Sequence, residues 1–321
     1  MPKLYLLAVN LKHSVNLFTT LSLAMLLLLP TLTQATEPSP VPTQTGKPFL
    51  WQVDNGKVSS YLFGTIHSGH PELNVLAASV ESAFTQADRF YGELELNSKT
   101  ISETQQLLLL QGNEQLSQQL SRTQQQRINT LLAQISPGLN LQLFDQFKPW
   151  AFTVVLALLE DQVRYGQFTA MDLKLYQRAQ VARKITGALE TPQQQMALFE
   201  QLTSTEQMAM LDATLVAMEK SVSEQQSWME PTYAAYRSGD PDQLNRLLDQ
   251  QMALPEPLQR KLKQHLIIDR NHLMASKIDQ QLQQHSGQSL FFAVGAGHFD
   301  QQEGIQILLQ QKGYQVRRLN H

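Results

Sequence analysis

Two apolar, β-type runs stand near opposite ends of this chain, Val58 to Phe63 and Ser289 to Val294. Neither end alone can bury both faces of its strands, so the two are expected to meet in one sheet. The first run belongs to a hairpin: Phe49 to Val53, then Asp54-Asn55-Gly56-Lys57, then Val58 to Phe63, with Asn-Gly as the turn signal. Leu73, Leu76, Ala77, Val80 and Phe84 follow at helical spacing. Arg89 to Leu96 is a strand candidate. From about 101 to 280 the pattern is mostly helical, broken by a short strand candidate, Arg183 to Leu189. Thr191-Pro192-Gln193-Gln194 carries the residues of a helix start with a capping box. The tail returns to β/α/β, with a helix predicted from Asp300 to Gln311, Asp300 and Glu303 as its capping box, and a strand at Tyr314 to Leu319. The reading is an α/β fold: a central mixed sheet of N- and C-terminal segments, with a mostly helical middle packed on it or capping it.

The N-terminus reads as a targeting segment. Lys3, Lys12 and His13 are basic, Leu17 to Leu29 is apolar, and Thr33-Gln34-Ala35 fits a small-x-small cleavage site. Residues 1–35 are therefore expected to be a signal peptide and 36–47 a flexible leader rich in Pro, Thr and Ser. Residues 48–321 then form one domain, periplasmic or secreted, with no stable membrane span after cleavage. Cleavage removes two of the 25 basic residues and none of the 28 acidic ones, so 23 face 28 and the mature net charge is −5. That balance argues against nucleic acid as a partner. The absence of cysteine excludes disulfides, thiolate ligands and a cysteine nucleophile.

The chemistry-bearing residues sit where strands end. Tyr61-Leu62-Phe63-Gly64-Thr65-Ile66-His67 and Phe291-Phe292-Ala293-Val294-Gly295-Ala296-Gly297-His298 share one grammar: apolar strand, Gly, then His three residues on. Gly is read as permitting a sharp exit from the strand. Each His is then presented at a strand's carboxyl end, where open α/β sheets place ligands. Glu93 lies in Arg89-Phe90-Tyr91-Gly92-Glu93-Leu94-Glu95-Leu96. Strand alternation puts it on one face with Glu95, so it is either solvent-facing on an edge or a buried carboxylate that needs a partner or a metal. Two His and one carboxylate form a divalent-metal set with open positions. Gly-x-Ser-x-Gly and His-Glu-x-x-His are both absent. His70 is read as a solvent-facing loop residue, and Trp51 and Trp150 as core.

The ordered set of motifs resembles the TraB/GumN family, related to the Tiki proteases. Phe49-Leu50-Trp51 with the first Gly-x-x-His resembles its opening, and Ala87-Asp88 with Glu93-Leu94-Glu95 its acidic strand. Lys148-Pro149-Trp150, Met171-Asp172 and Leu189-Glu190-Thr191 with Gln195 resemble its middle signatures. Arg270-Asn271 and Ala293 to His298 resemble its close. The resemblance spans roughly residues 48–319. It implies an α/β fold shared with erythromycin-esterase-like and ChaN-like proteins. It also implies a metal-dependent hydrolase, peptidase-like, acting on a peptide or small amide or ester substrate. His67, His298 and Glu93 become the metal or catalytic set, with Mn or Co as the implied ion and Zn as another. Arg270 becomes a candidate for a substrate carboxylate or an oxyanion, against the alternative of a helix-surface salt bridge with Asp269 or nearby acids. Glu190 either lines the cleft or serves the helix start at Thr191. Gly92 stands where the family has a bulky residue, so the strand is expected to kink there. The alternative function is a periplasmic haem- or metal-binding protein without turnover, as in the ChaN-like relatives.

Overall fold

The computed structural model describes residues 47–165, 169–251, 254–300 and 302–319. The expected signal peptide, and the leader apart from Lys47, lie outside the described residues. Six strands form one mixed sheet: β1 (Leu50–Asp54), β2 (Ser59–Thr65), β3 (Arg89–Gly92), β4 (Ile185–Ala188), β5 (Leu290–Gly295) and β6 (Gln315–Arg318). Their order across the sheet is β4-β3-β5-β2-β1-β6. β4, β3, β5 and β2 run parallel, while β1 pairs antiparallel with both β2 and β6. The ends of the chain thus meet in one sheet, as the apolar runs require, and helices fill the middle.

Local chemistry explains the elements. The β1–β2 turn closes because Asn55 Oδ1 accepts from the backbone N–H groups of Lys57 and Val58, while Gly56 takes the left-handed conformation at φ +81. β5 is buried along its whole length, as a central strand must be. Phe291 packs against Phe84 and Phe90 while Phe292 stacks on Tyr91. Trp51 stacks on Phe299 and Trp150 on Phe199, so both tryptophans are core residues. The Thr191 capping box opens the Pro192–Glu200 helix as read from sequence.

The helix Pro149–Tyr165 has no polar face over most of its length. Trp150, Val154 and Leu158 join the main core beside the sheet. Phe152, Leu156 and Leu159 join a second apolar cluster with Ile128, Leu132, Leu211 and Leu215 from the helices Arg122–Ile135 and Ser204–Glu224. Burial on all sides ties the helical middle to the sheet, so the middle packs on the sheet through this shared helix.

Three expectations are corrected. The strand predicted over 89–96 ends at Gly92, after which the chain bends, so Glu93 and Glu95 do not share a strand face. The tail helix begins at Ile305 with Gly304 as cap. Asp300 Oδ1 instead accepts from the N–H groups of Gln302 and Glu303 in a separate turn. Of the residues at helical spacing from Leu73, the helix proper takes Ala78–Gln86, and Leu73 ends a short 3₁₀ turn.

One motif glycine acts otherwise than read: Gly64 lies inside β2, whereas Gly295 ends β5 and caps the 3₁₀ turn that follows. Neither Gly64 nor Gly295 adopts positive φ. Gly64 is needed for close approach: a Cβ there would stand 2.7 Å from Phe49 Cβ and 3.2 Å from Ala296 Cα. Gly64→Ala is therefore expected to cost about 1–3 kcal/mol by overpacking. Urea denaturation checks this, and an unchanged midpoint would show that Phe49 moves aside freely.

Candidate functional site

All four parallel strands deliver a polar residue just past their carboxyl ends. β2 leads to His67, β5 to His298, β3 to Glu93 and β4 to Glu190. Parallel pairing of Thr65 with Gly295 brings the two histidine turns to the same edge. The β3–β4 ladder continues past the strands, with Leu189 N–H donating to Gly92 O and Glu190 N–H to Glu93 O, so the two glutamates stay side by side. His67, His298, Glu93 and Glu190 are each at most 4 % exposed. The alternative of a solvent-facing Glu93 is excluded.

Arg270 binds the two carboxylates together. Its Nη2 donates to Glu93 Oε2 at 2.8 Å and to Glu190 Oε2 at 2.5 Å, and its Nε to Glu190 Oε1 at 2.8 Å. The helix Asp269–Gln284, which carries Arg270, follows a π turn at Gln264–Ile268, and Leu266 O accepts from Arg270 Nη1. The surface pairing of Arg270 with Asp269 does not form, because Asp269 bonds Gln264 and His265 instead. Gln195 Nε2 donates to both Glu93 and Glu190. Burial opposes the charge on Arg270, but Glu190 and Glu93 outweigh it and raise its pKa.

Glu93 Oε1 accepts from Gly295 N–H at 2.6 Å and lies 3.8 Å from His298 Nε2. Burial pushes the Glu93 pKa up, against opposing pulls from Arg270 and His67. His298 is held well below its ordinary pKa by burial, then by Arg270 and His67, so its imidazole stays neutral. The mutual influence of His67, His298 and Glu93 places them in one electrostatic cluster.

Each imidazole has a partner on its other nitrogen. His67 Nδ1 faces Asp172 Oδ2 at 2.5 Å, and Asp172 Oδ1 accepts from Thr65 Oγ1. His298 Nδ1 faces Asn271 Oδ1 at 2.5 Å, and Asn271 Nδ2 donates to Glu303 O. His298 Nε2 is buried without a hydrogen-bond partner among the described residues. Among the described residues, no group of three or more His, Asp or Glu side chains is placed so that it could hold a metal ion as it stands. The fold gathers the donors without closing a coordination sphere.

His70 is corrected: it is buried between the rings of Tyr165 and Tyr233, and burial lowers its pKa. It borders a second polar cluster. Ser68 Oγ donates to Asp161 Oδ2 at 3.1 Å, and Tyr233 Oη donates to Asp161 Oδ1. Burial raises the Asp161 pKa to about 6, with the Tyr233 and Ser68 hydrogen bonds pulling it down. The sequence reading assigns no role to Asp161, Tyr233, Ser68, Asp172, Asn271 or Gln195. A usable signal exists for Asp161, a carboxylate at the end of the apolar run Val154 to Leu159.

Removing the guanidinium by Arg270→Met leaves two buried carboxylates facing each other. The expected cost is about 3–5 kcal/mol, read by denaturant unfolding; a loss below 1 kcal/mol would mean the carboxylates are solvated or protonated without penalty. Asp161 titrates with the opposite sign from a paired carboxylate. Its folded pKa lies above the unfolded value, so stability is highest below pH 4, falls as pH rises toward about 6, and stays lower above that. Asp161→Asn is expected to flatten this window and to add on the order of 2 kcal/mol near pH 8. Thermal unfolding from pH 4 to 8 measures both effects, and parallel profiles for the two proteins would rule this account out.

Comparison with known proteins places this geometry. A model of the TraB/PrgY/gumN family matches residues 49–318. Metalloprotease TIKI2 of Danio rerio is 28 % identical over 320 residues, covering 86 % of this chain and 62 % of its own length. Metalloprotease TIKI1 of Xenopus tropicalis is 26 % identical, covering 84 % and 61 %. Metalloprotease TIKI1 of Homo sapiens is 25 % identical with the same coverage, 84 % and 61 %. The chain thus spans about three fifths of the length of these relatives. No solved structure gives a significant match. With its match running from the first strand to the last, the chain belongs to the TraB/PrgY/gumN family and is distantly homologous to the TIKI metalloproteases.

Proposed function

We propose that the protein is an exported metal-dependent hydrolase acting on a peptide bond or a small amide or ester. The observation that carries the reading is the convergence of the motif side chains in one buried site. His67, His298, Glu93 and Glu190 follow neighbouring parallel strands to one sheet edge, Glu93 Oε1 stands 3.8 Å from His298 Nε2, and Asp172 and Arg270 are buried beside them. Buried acids gathered this closely are costly without a partner or a metal. The donor set at hand, two imidazole nitrogens and a carboxylate, suits Mn, Co or Zn.

His67, His298 and Glu93 are the residues that would hold the ion; that the TIKI relatives are named metalloproteases supports metal dependence. When bound, a divalent ion supplies a Lewis acid that acidifies water and polarises a carbonyl. The chain's own residues do the rest. Glu93 Oε1 is the carboxylate oxygen turned toward His298, while Oε2 is committed to Arg270 and Gln195. Arg270, occupied by two carboxylates, fixes the orientation of Glu93 and offsets its charge. Gly295 N–H and Gln195 remove the remaining freedom of that side chain. Burial excludes bulk water, which strengthens every one of these interactions. Export to the periplasm or beyond is supported by the basic, apolar and small-x-small order of residues 1–35.

The test is reconstitution. Protein expressed without residues 1–35 is stripped by chelation, and Mn, Co or Zn is returned before incubation with peptide, amide and ester libraries. Cleavage is expected only with metal, and His67→Ala, His298→Ala and Glu93→Gln are each expected to abolish it. Tight metal or haem binding with no turnover on any library would replace the hydrolase by a binding protein.

A further inference from the structure

The side chains behind the two histidines differ, and the difference follows from what each must satisfy. Asp172 faces donors on both sides. Thr65 Oγ1 donates to Oδ1 and His67 Nδ1 stands 2.5 Å from Oδ2. An ionised carboxylate only accepts, so the imidazole must donate from Nδ1. Asn271 sits between a fixed acceptor and an imidazole. The backbone oxygen of Glu303 can only accept, so Nδ2 of the amide must face it. That leaves Oδ1 toward His298 Nδ1 at 2.5 Å, and this imidazole also donates from Nδ1. An acid and an amide therefore reach one result by different routes. Both histidines are left with a lone pair on Nε2.

Three elements converge to produce this. Asp172 is in the first turn of the helix Met171–Val181 and is 7 % exposed. Asn271 follows Arg270 on the helix after the π turn and is fully buried. The histidines follow neighbouring parallel strands. Arg270 and Asn271, adjacent in sequence, thus act on two different members of the cluster, Arg270 on Glu93 and Asn271 on His298.

We propose that Asp172 and Asn271 are positioning residues that lock His67 and His298 in the Nδ1–H tautomer and so turn both Nε2 lone pairs to a shared divalent cation. The proposal rests on the metal reading above and adds to it the residues that set ligand orientation. It distinguishes the two positions. Asn at 172 keeps its place, because its oxygen accepts from His67 while its amide N–H₂ donates to Thr65 Oγ1. Asp at 271 does not, because a carboxylate oxygen would then face the Glu303 carbonyl oxygen.

The experiment has two arms. In the first, metal-free protein labelled with ¹⁵N is examined at mildly alkaline pH by long-range ¹H–¹⁵N correlation, which reports the imidazole tautomers without any substitution. Nδ1–H is expected for both histidines, and Nε2–H at either overturns the proposal. In the second arm, Co²⁺ is titrated calorimetrically and by its visible absorption into the original protein and its variants. Asp172→Ala and Asn271→Ala are expected to weaken Co²⁺ binding about 10–100-fold and to alter the absorption bands, as loss of a partner behind a metal-binding His does. Asp172→Asn is expected to recover most of the loss, and Asn271→Asp is not. Alanine variants that bind within twofold of the original protein, with unchanged bands, overturn the positioning role while leaving the metal reading intact. Failure of the original protein to bind Co²⁺, Mn²⁺ or Zn²⁺ removes the metal reading and this proposal together. If an alanine variant does not fold, the tautomer measurement on the unaltered protein decides.

Discussion

Parallel pairing of β2 with β5 is the constraint from which the rest of the site follows. Antiparallel neighbours end at opposite edges of a sheet; parallel neighbours end at the same one. Because Phe63 pairs with Ala293 and Thr65 with Gly295, the chain leaves both strands at one edge with its histidines two and three residues further on. β3 and β4 extend the same parallel set and bring Glu93 and Glu190 to that edge. No single segment builds the cluster. Its members come from both ends of the chain and from the helical middle, so the site exists only when the whole sheet has formed.

The sheet creates an electrostatic problem that the helices answer. Side-by-side glutamates with a histidine close by are costly in a dry interior. Arg270 meets both carboxylates, and Gln195 bridges them from another helix. These bonds stabilise the pair against separation. An arrangement selected for stability alone would have replaced such ions with apolar groups of similar size. Retaining three buried acids around one guanidinium and two imidazoles makes sense where a cation is part of the working protein.

How much of this was legible in the residues depends on range. Asn55-Gly56, the Thr191 box and the apolar runs carry their signals within a few positions, and these elements stand where the patterns put them. The motif histidines and Glu93 were visible because strand, glycine and acid are adjacent in sequence. What was not legible needed a contact between distant segments. Glu93 reads equally as solvent-facing or buried until Gly92 ends the strand and Gly295 supplies an N–H. His70 reads as a loop residue because nothing local shows that Tyr165 and Tyr233 will enclose it. Gly64 reads as a turn former, although its reason is the approach of Phe49 from the paired strand. Asp300 is a local exception: its capping pattern is real, but it satisfies a turn before the helix rather than the helix itself.

The depth of the site bears on what it can do. His67, His298 and Glu93 are each no more than 2 % exposed, so under the proposed function a substrate would reach them only on opening of the packing above the strand ends. The hydrogen bonds sort the surrounding elements by what opening would cost. Arg270 and Asn271 tie their helix to Glu93 and His298, and Asp172 ties its helix to His67; moving either would break charge-assisted bonds and misplace a histidine or Glu93. His70 lies against the rings of Tyr165 and Tyr233 and also hydrogen-bonds Ser68, Glu72, Leu73 and Asn74, while among the described residues Asp161 accepts from the hydroxyls of Ser68 and Tyr233. Ser68, which bonds Asp161 and Tyr233, directly follows His67, so this cluster too is joined to the site. The site is therefore held from two sides, by Arg270, Asn271 and Asp172 at the strand ends and by the Ser68, Asp161 and Tyr233 cluster beside His67.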